Sequence, residues 1–131
     1  MAGTLVTDTL QDSSGNSTAT TNAIRGSAKA WVNFNGSGAA SMRSSFNVSS
    51  VQYIRTGVYQ VNFTNSFADA NYVTQITAGN SGSSPYYATT PCLTDSGTPL
   101  GYAKGYVVFS MTGTSAGGTQ DSNIACVACF S

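Results

Sequence analysis

Two features of the chain invite a chemical reading: the run Cys126-Val127-Ala128-Cys129, and five aspartates, Asp8, Asp12, Asp69, Asp95 and Asp121. C-x-x-C is a signature of redox and zinc sites. Here it lies in Ile124, Cys126, Ala128 and Phe130, an alternating pattern that predicts a final β-strand. Residues three apart on a strand are about 10 Å apart, beyond the roughly 7 Å between α-carbons that a disulfide tolerates. Alternation also sends the two thiols to opposite faces. Zinc would need a second ligand pair, and only Cys92 remains. The cysteines therefore read as small buried hydrophobes. Their odd number also argues against a disulfide scaffold.

The aspartates would carry any general acid–base chemistry, because the chain has no His and no Glu. A Ser-His-Asp triad is excluded. No two aspartates stand out as the carboxylate pair of a glycoside hydrolase. Their neighbours are Gly, Ser, Asn and Thr, the company of Asx turns, so turn capping is the expected role. The expectation is a non-enzyme without metal or cofactor.

Recognition is a different matter. Ser83-Ser84-Pro85-Tyr86-Tyr87-Ala88 places adjacent tyrosines in a loop of small residues, where rigid rings supply contact area at low entropic cost. Tyr86 and Tyr87 are candidate receptor contacts, with Ser83, Ser84, Thr89 and Thr90 as hydrogen-bonding neighbours. Plain alternation, burying one ring and exposing the other, accounts for the same pair.

The elements that would position such residues are strands. Ala28, Ala30, Val32 and Phe34 alternate with Lys29, Trp31 and Asn33. Asn35-Gly36-Ser37-Gly38 suits a hairpin turn with positive φ. Ala40 to Ser45 and Phe46 to Ile54 read as further strand, with a bend or bulge at Ser49-Ser50. Thr56-Gly57 is a turn before Tyr59, Val61 and Phe63. Tyr72, Thr74 and Ile76 alternate with Val73, Gln75 and Thr77. Residues 79–101 carry all three prolines and read as a long loop or a loop with short strands. Tyr106 to Phe109 with Met111 form the most apolar strand. Strand aromatics such as Trp31, Phe34, Phe46, Tyr59, Phe63 and Phe109 are expected in the core or between subunits. No helical periodicity persists. The fold class is all-β, an antiparallel β-sandwich or jelly-roll-like knob spanning residues 27–131. Residues 1–26 bury too little to fold alone and read as an extended N-terminal arm that orders against something else.

Composition sets further bounds. Only 8% of the 131 residues are charged and the net charge is zero. Ser, Thr, Asn and Gly take the places of Lys and Glu, and such side chains bond well to sugars and to neighbouring subunits. No basic patch could neutralise a run of phosphates, so nucleic acid is not an expected partner. No stretch approaches the roughly 18 apolar residues of a spanning helix. Met1 to Leu10 lacks the charge and apolar run of a signal peptide. Sequons such as those at Asn16, Asn47 and Asn62 arise by chance in a chain this rich in Asn, Ser and Thr.

The stretch AKAWVNFNGSG…MRSSFNVSSV…TGVYQVNF…DANY, from Ala28 to Tyr72, resembles a domain recurrent in tail-fibre and related virion proteins of tailed phages. The pattern falls on Trp31, Asn33, Phe34, Gly36, Arg43, Phe46, Asn47, Val48, Tyr59, Val61, Asn62 and Phe63. Thr4 to Asp12 is similar to leader segments preceding that domain. The resemblance implies a β-rich, trimeric knob displayed on the particle and brings no catalytic residues with it. It is weaker after Tyr72. A chain starting at its own Met1 without a long shaft is not expected to be a full-length tail fibre. The function so implied is a short trimeric fibre or spike for host attachment; the alternative is a capsid decoration protein that cements the head. Expected partners are further copies of the chain, other virion proteins through the arm, and host cell-envelope glycan as receptor. Expected localisation is the virion, assembled in the host bacterial cytoplasm.

Overall fold

A computed structural model describes residues 3–79, 94–95, 98–99, 101–111 and 119–131. They form two four-stranded antiparallel sheets, as in a β-sandwich, with one short helix. In chain order the elements are β1 (Thr9–Gln11), β2 (Ser17–Ala19), α1 (Thr20–Gly26), β3 (Ala30–Asn35), β4 (Ser41–Phe46), β5 (Val48–Arg55), β6 (Val58–Phe63), β7 (Val73–Gly79), β8 (Thr94–Asp95), β9 (Thr98–Pro99), β10 (Tyr102–Ala103), β11 (Tyr106–Ser110) and β12 (Ile124–Phe130). One sheet runs β4-β3-β12-β7 and the other β10-β11-β6-β5. Two short hairpins, β1-β2 and β8-β9, stand apart from both.

The alternation read from the sequence decides what is inside. Ala30, Val32 and Phe34 of β3, and Ala125, Val127 and Cys129 of β12, meet Tyr59, Val61, Phe63, Val107 and Phe109 of the facing sheet in one buried cluster. Two groups of rings organise it. Phe34, Tyr53, Tyr59 and Phe109 meet at one end, with Phe34 and Tyr59 edge-to-face at 5.2 Å. Phe63, Phe67, Tyr72 and Tyr102 meet at the other, with Phe67 stacked on Tyr72 at 4.5 Å. Such pairs contribute about 0.5–1.5 kcal/mol each beyond their buried area.

Turns fall where glycine allows them. Gly38 (φ 66°) serves the β3–β4 hairpin and Gly57 (φ 67°) the β5–β6 hairpin. The expected bulge is present, since the β5–β6 register shifts between Val48 and Ser50. The structure departs from the sequence reading at Asn47. Residues 40–54 look like one extended run, yet β4 and β5 belong to different sheets. Asn47, with φ 54°, is the corner between them. Asparagine tolerates this left-handed backbone better than most side chains. Its amide fixes the corner by donating to the carbonyls of Lys29 and Asn65, both at 3.1 Å, while Oδ1 accepts from Asn65 N at 2.8 Å. An Asn47 amide engaged in this way is a poor glycan acceptor.

The N-terminal segment also differs from a plain extended arm. β1 and β2 form a hairpin whose turn is held by Asp12, and α1 follows directly. Thr20 Oγ1 donates to the Thr7 carbonyl at 2.6 Å, and the Lys29 ammonium donates to the carbonyl of Ile24. No residue from 3 to 26 is buried. Local hydrogen bonds shape this unit, and no core supports it.

Two core phenols make the sandwich sensitive to alkali. Burial, followed by the Asp121 bond and charge, raises the Tyr59 pKa above the ordinary tyrosine value. Burial likewise raises that of Tyr72, whose hydroxyl donates to the Tyr106 carbonyl at 2.9 Å. Unfolding frees both to ionise near pH 10, so their contribution is intact below about pH 10 and is lost above it. Each phenol should remove about 1.4 kcal/mol of stability per pH unit beyond that point. Denaturant midpoints at pH 9 and pH 11 test this; equal midpoints would contradict it.

Candidate functional site

The outward faces of the two sheets differ in character. On β5 and β6 the outward side is a polar ladder: Gln60 donates to Asn62 Oδ1 at 2.7 Å, and Asn62 donates to Ser50 Oγ at 2.9 Å. On the β4-β3-β12-β7 sheet, outward rows follow from strand register. Phe46, Trp31, Ala128 and Gln75 form one row, and Ser44, Asn33, Cys126 and Thr77 the next. Trp31 is 39% exposed and Phe46 55%. Val73 pairs with Phe130 one row further along and is also exposed.

β12 lies between β3 and β7, and its outward residues in these rows, Ala128 and Cys126, are small. The strands beside it carry larger ones. A trench of about 210 Å³ results, with Trp31 and Asn33 on one wall and Gln75 and Thr77 on the other. The walls are two strand spacings apart, roughly 10 Å. None of the side chains lining it is Asp, Lys or Arg.

One wall is held rigidly. Asn33 Nδ2 donates to Cys126 Sγ at 3.1 Å. Its Oδ1 accepts from Arg43 Nη1 at 3.3 Å, and the same nitrogen donates to the Phe34 carbonyl at 2.9 Å. Arg43 Nη2 reaches the Asn123 carbonyl at 2.6 Å. The β3–β4 register shifts between Asn33 and Phe34, and the guanidinium sits at that irregularity. Across the trench, Gln75 and Thr77 make no side-chain hydrogen bond among the described residues.

The thiols lie as alternation requires, Cys129 buried in the core and Cys126 half-buried in the trench floor. Burial raises the Cys129 pKa, partly offset by its contact with Thr74 Oγ1. The aspartates divide. Asp12 caps its turn, accepting from Ser14 N and Asn16 N, and the Asn16 amide leads the bonds that lower its pKa. Asp69 accepts from Asn71 N at 2.7 Å. Asp121 does something else. Its Oδ1 accepts from Gly57 N at 2.6 Å and from the Tyr59 hydroxyl at 2.9 Å, and Oδ2 lies 3.4 Å from the Tyr53 hydroxyl. The carboxylate ties three strand ends together across more than sixty residues of sequence. Its neighbours in the chain are Gln120 and Ser122, which is why local reading suggested only a turn.

Tyr86, Tyr87, Ser83, Ser84, Thr89, Thr90 and Cys92 lie outside the described residues. Among those described, no three Cys or Asp side chains gather as metal ligands, and no helix is long and apolar enough to cross a membrane. No family, curated protein or solved structure matches the chain.

Several residues between Ala28 and Tyr72 have clear scaffold roles. A Cβ on Gly36 would lie 2.5 Å from the Tyr59 hydroxyl and 2.8 Å from the Ser122 carbonyl, so only glycine lets that turn close over the ring. Tyr59 reaches the Gly36 carbonyl at 2.9 Å. Arg43, Asn47, Phe34 and Phe63 are accounted for above. Trp31 and Phe46 are the exceptions: of the two places expected, core or subunit contact, the structure removes the core, because both are exposed on the single chain. This stretch thus forms a frame, with two of its aromatics turned outward.

Proposed function

We propose that the protein is a phage virion component, a short trimeric fibre or spike displayed for host attachment. The observation that carries this reading is the N-terminal unit. It has a hairpin, a helix and a defined turn, yet buries nothing, and it exposes Leu5 at 81%, Val6 at 88% and Ile24. A segment of this kind reaches a stable state by burying those residues against other chains. Docking through the unit, with the sandwich projecting outward, uses both halves. The likeness of residues 28–72 to phage-fibre domains supports the same arrangement, as does a surface with few charges and many amides and hydroxyls. Asp12 and Asp69 cap turns and Asp121 ties distant strand ends, roles that suit a structural protein.

Three copies of a 13.4 kDa chain scatter light as a particle of about 40 kDa, and the same protein should be found by cryo-electron microscopy on purified virions. Leu5→Ser, Val6→Ser and Ile24→Ser combined should abolish both while leaving sandwich melting unchanged. A 13.4 kDa species at micromolar concentration, absent from virions, would overturn the proposal. Particles that lack the protein, adsorb normally and burst on gentle heating would favour capsid cementing over attachment.

A further inference from the structure

Resting on the attachment reading, we propose that the trench on the β4-β3-β12-β7 sheet binds a neutral pyranose, with Trp31 as the stacking platform and Gln75, Thr77 and Asn33 as hydroxyl partners.

The chemistry of the walls selects the ligand. An exposed indole face accepts a flat apolar surface, and its N–H remains a donor. Opposite it, a carboxamide and a hydroxyl offer donor and acceptor capacity that no group of the described chain takes up. A ligand with one apolar face and a rim of hydroxyls matches both walls at once, and a sugar ring is such a ligand. No charged side chain lines the trench. Arg43, the nearest cation on this wall, has both terminal nitrogens committed to Asn33, Phe34 and Asn123. A phosphate or an acidic sugar would find no free cation there, so the ring should be neutral.

Size points the same way. At about 210 Å³ the trench is smaller than the roughly 300–1,000 Å³ of pockets for drug-sized molecules, which suits a single ring. A second copy of the chain is the less fitting occupant. Four strands of at most seven residues present a face of roughly 400 Å². A stable protein interface needs roughly 800 Å² on each side. The walls are also preorganised: β3 and β12 are paired on both edges, and Asn33 is held from two directions, so binding orders little.

Trp31 is the sole tryptophan, so its fluorescence reports directly on this site. Methyl glycosides of glucose, galactose, mannose and N-acetylglucosamine, titrated into the full chain, should include at least one that shifts Trp31 emission saturably in the millimolar range. Gln75→Ala keeps the fluorophore and should weaken that binding about tenfold without changing the melting temperature. Trp31→Ala, followed by calorimetry, should abolish it, and Trp31→Phe should retain part. No saturable shift with any of the four sugars would overturn the proposal. So would an emission change that tracks protein dilution in place of sugar, which marks the face as a contact between copies. Cell binding separates this proposal from the one beneath it. Wild type that adsorbs to host cells, with Gln75→Ala and Trp31→Ala adsorbing equally well, defeats the trench and spares attachment. Sugar binding without cell adsorption defeats attachment and spares the trench.

Discussion

Phe34→Ala is expected to lower the unfolding free energy by about 4 kcal/mol, within the range for removing a buried phenylalanine. Phe34 has no exposed surface, and its ring meets both Tyr59 and Phe109, at 5.2 and 6.5 Å. The sheets cannot close on the space it leaves, because Tyr59 is held in place through its own hydroxyl. A domain of this size has roughly 5–15 kcal/mol in all, so the variant should be marginal. The denaturant midpoint should fall sharply with the slope unchanged. Trp31→Ala, three residues earlier on the opposite face, is the control and should move the midpoint little. A loss below about 1 kcal/mol for Phe34→Ala would mean that the ring is not in the core.

Asp121→Ala should come next, at about 3 kcal/mol. The damage comes less from the lost bonds than from the groups left behind. Gly57 N, which is buried, points at the vanished oxygen and loses its acceptor, while the Tyr59 hydroxyl keeps only the Gly36 carbonyl. A buried donor without an acceptor is more costly than the bond it once made was favourable. Asp121→Asn retains an acceptor of similar shape and should lose about 1 kcal/mol. Comparing the two by denaturation separates the bonds from the charge. Equal losses would show that the charge, and not the acceptor, holds the strand ends.

Much of the frame was legible because alternation and glycine are local signals. Ala30, Val32 and Phe34 announce a strand by their spacing, and Gly57 announces its turn. Parity does not say which side is inward, so Trp31 and Phe34 looked alike until Val32, Val127 and Phe109 closed over one of them. The corner at Asn47 was invisible for another reason: one residue of reversed φ leaves no periodic trace between two polar strands. Helix α1 was missed because seven residues, TTNAIRG, are too few to show a period and none is buried. Asp121 and Arg43 were missed because their partners are distant in sequence. The trench has no sequence signal of its own. It arises from the register of three strands, with small Ala128 and Cys126 set between larger neighbours.

The position of β12 bears on how the protein is made. This strand is the last described element to leave the ribosome, yet it belongs in the middle of its sheet, between β3 and β7. Asn33 and Cys126, which touch across it, are 93 residues apart. Until β12 emerges, the β3–β4 hairpin and β7 each present a row of unsatisfied backbone groups to the surrounding solution. Closing so long a loop is slow, and a nascent chain waiting with open edges can accept a strand from a neighbour on the same message. That exchange competes best where many copies are made at once. The half-finished sheet is therefore where misassembly should begin, and cooler, slower translation should favour the correct insertion.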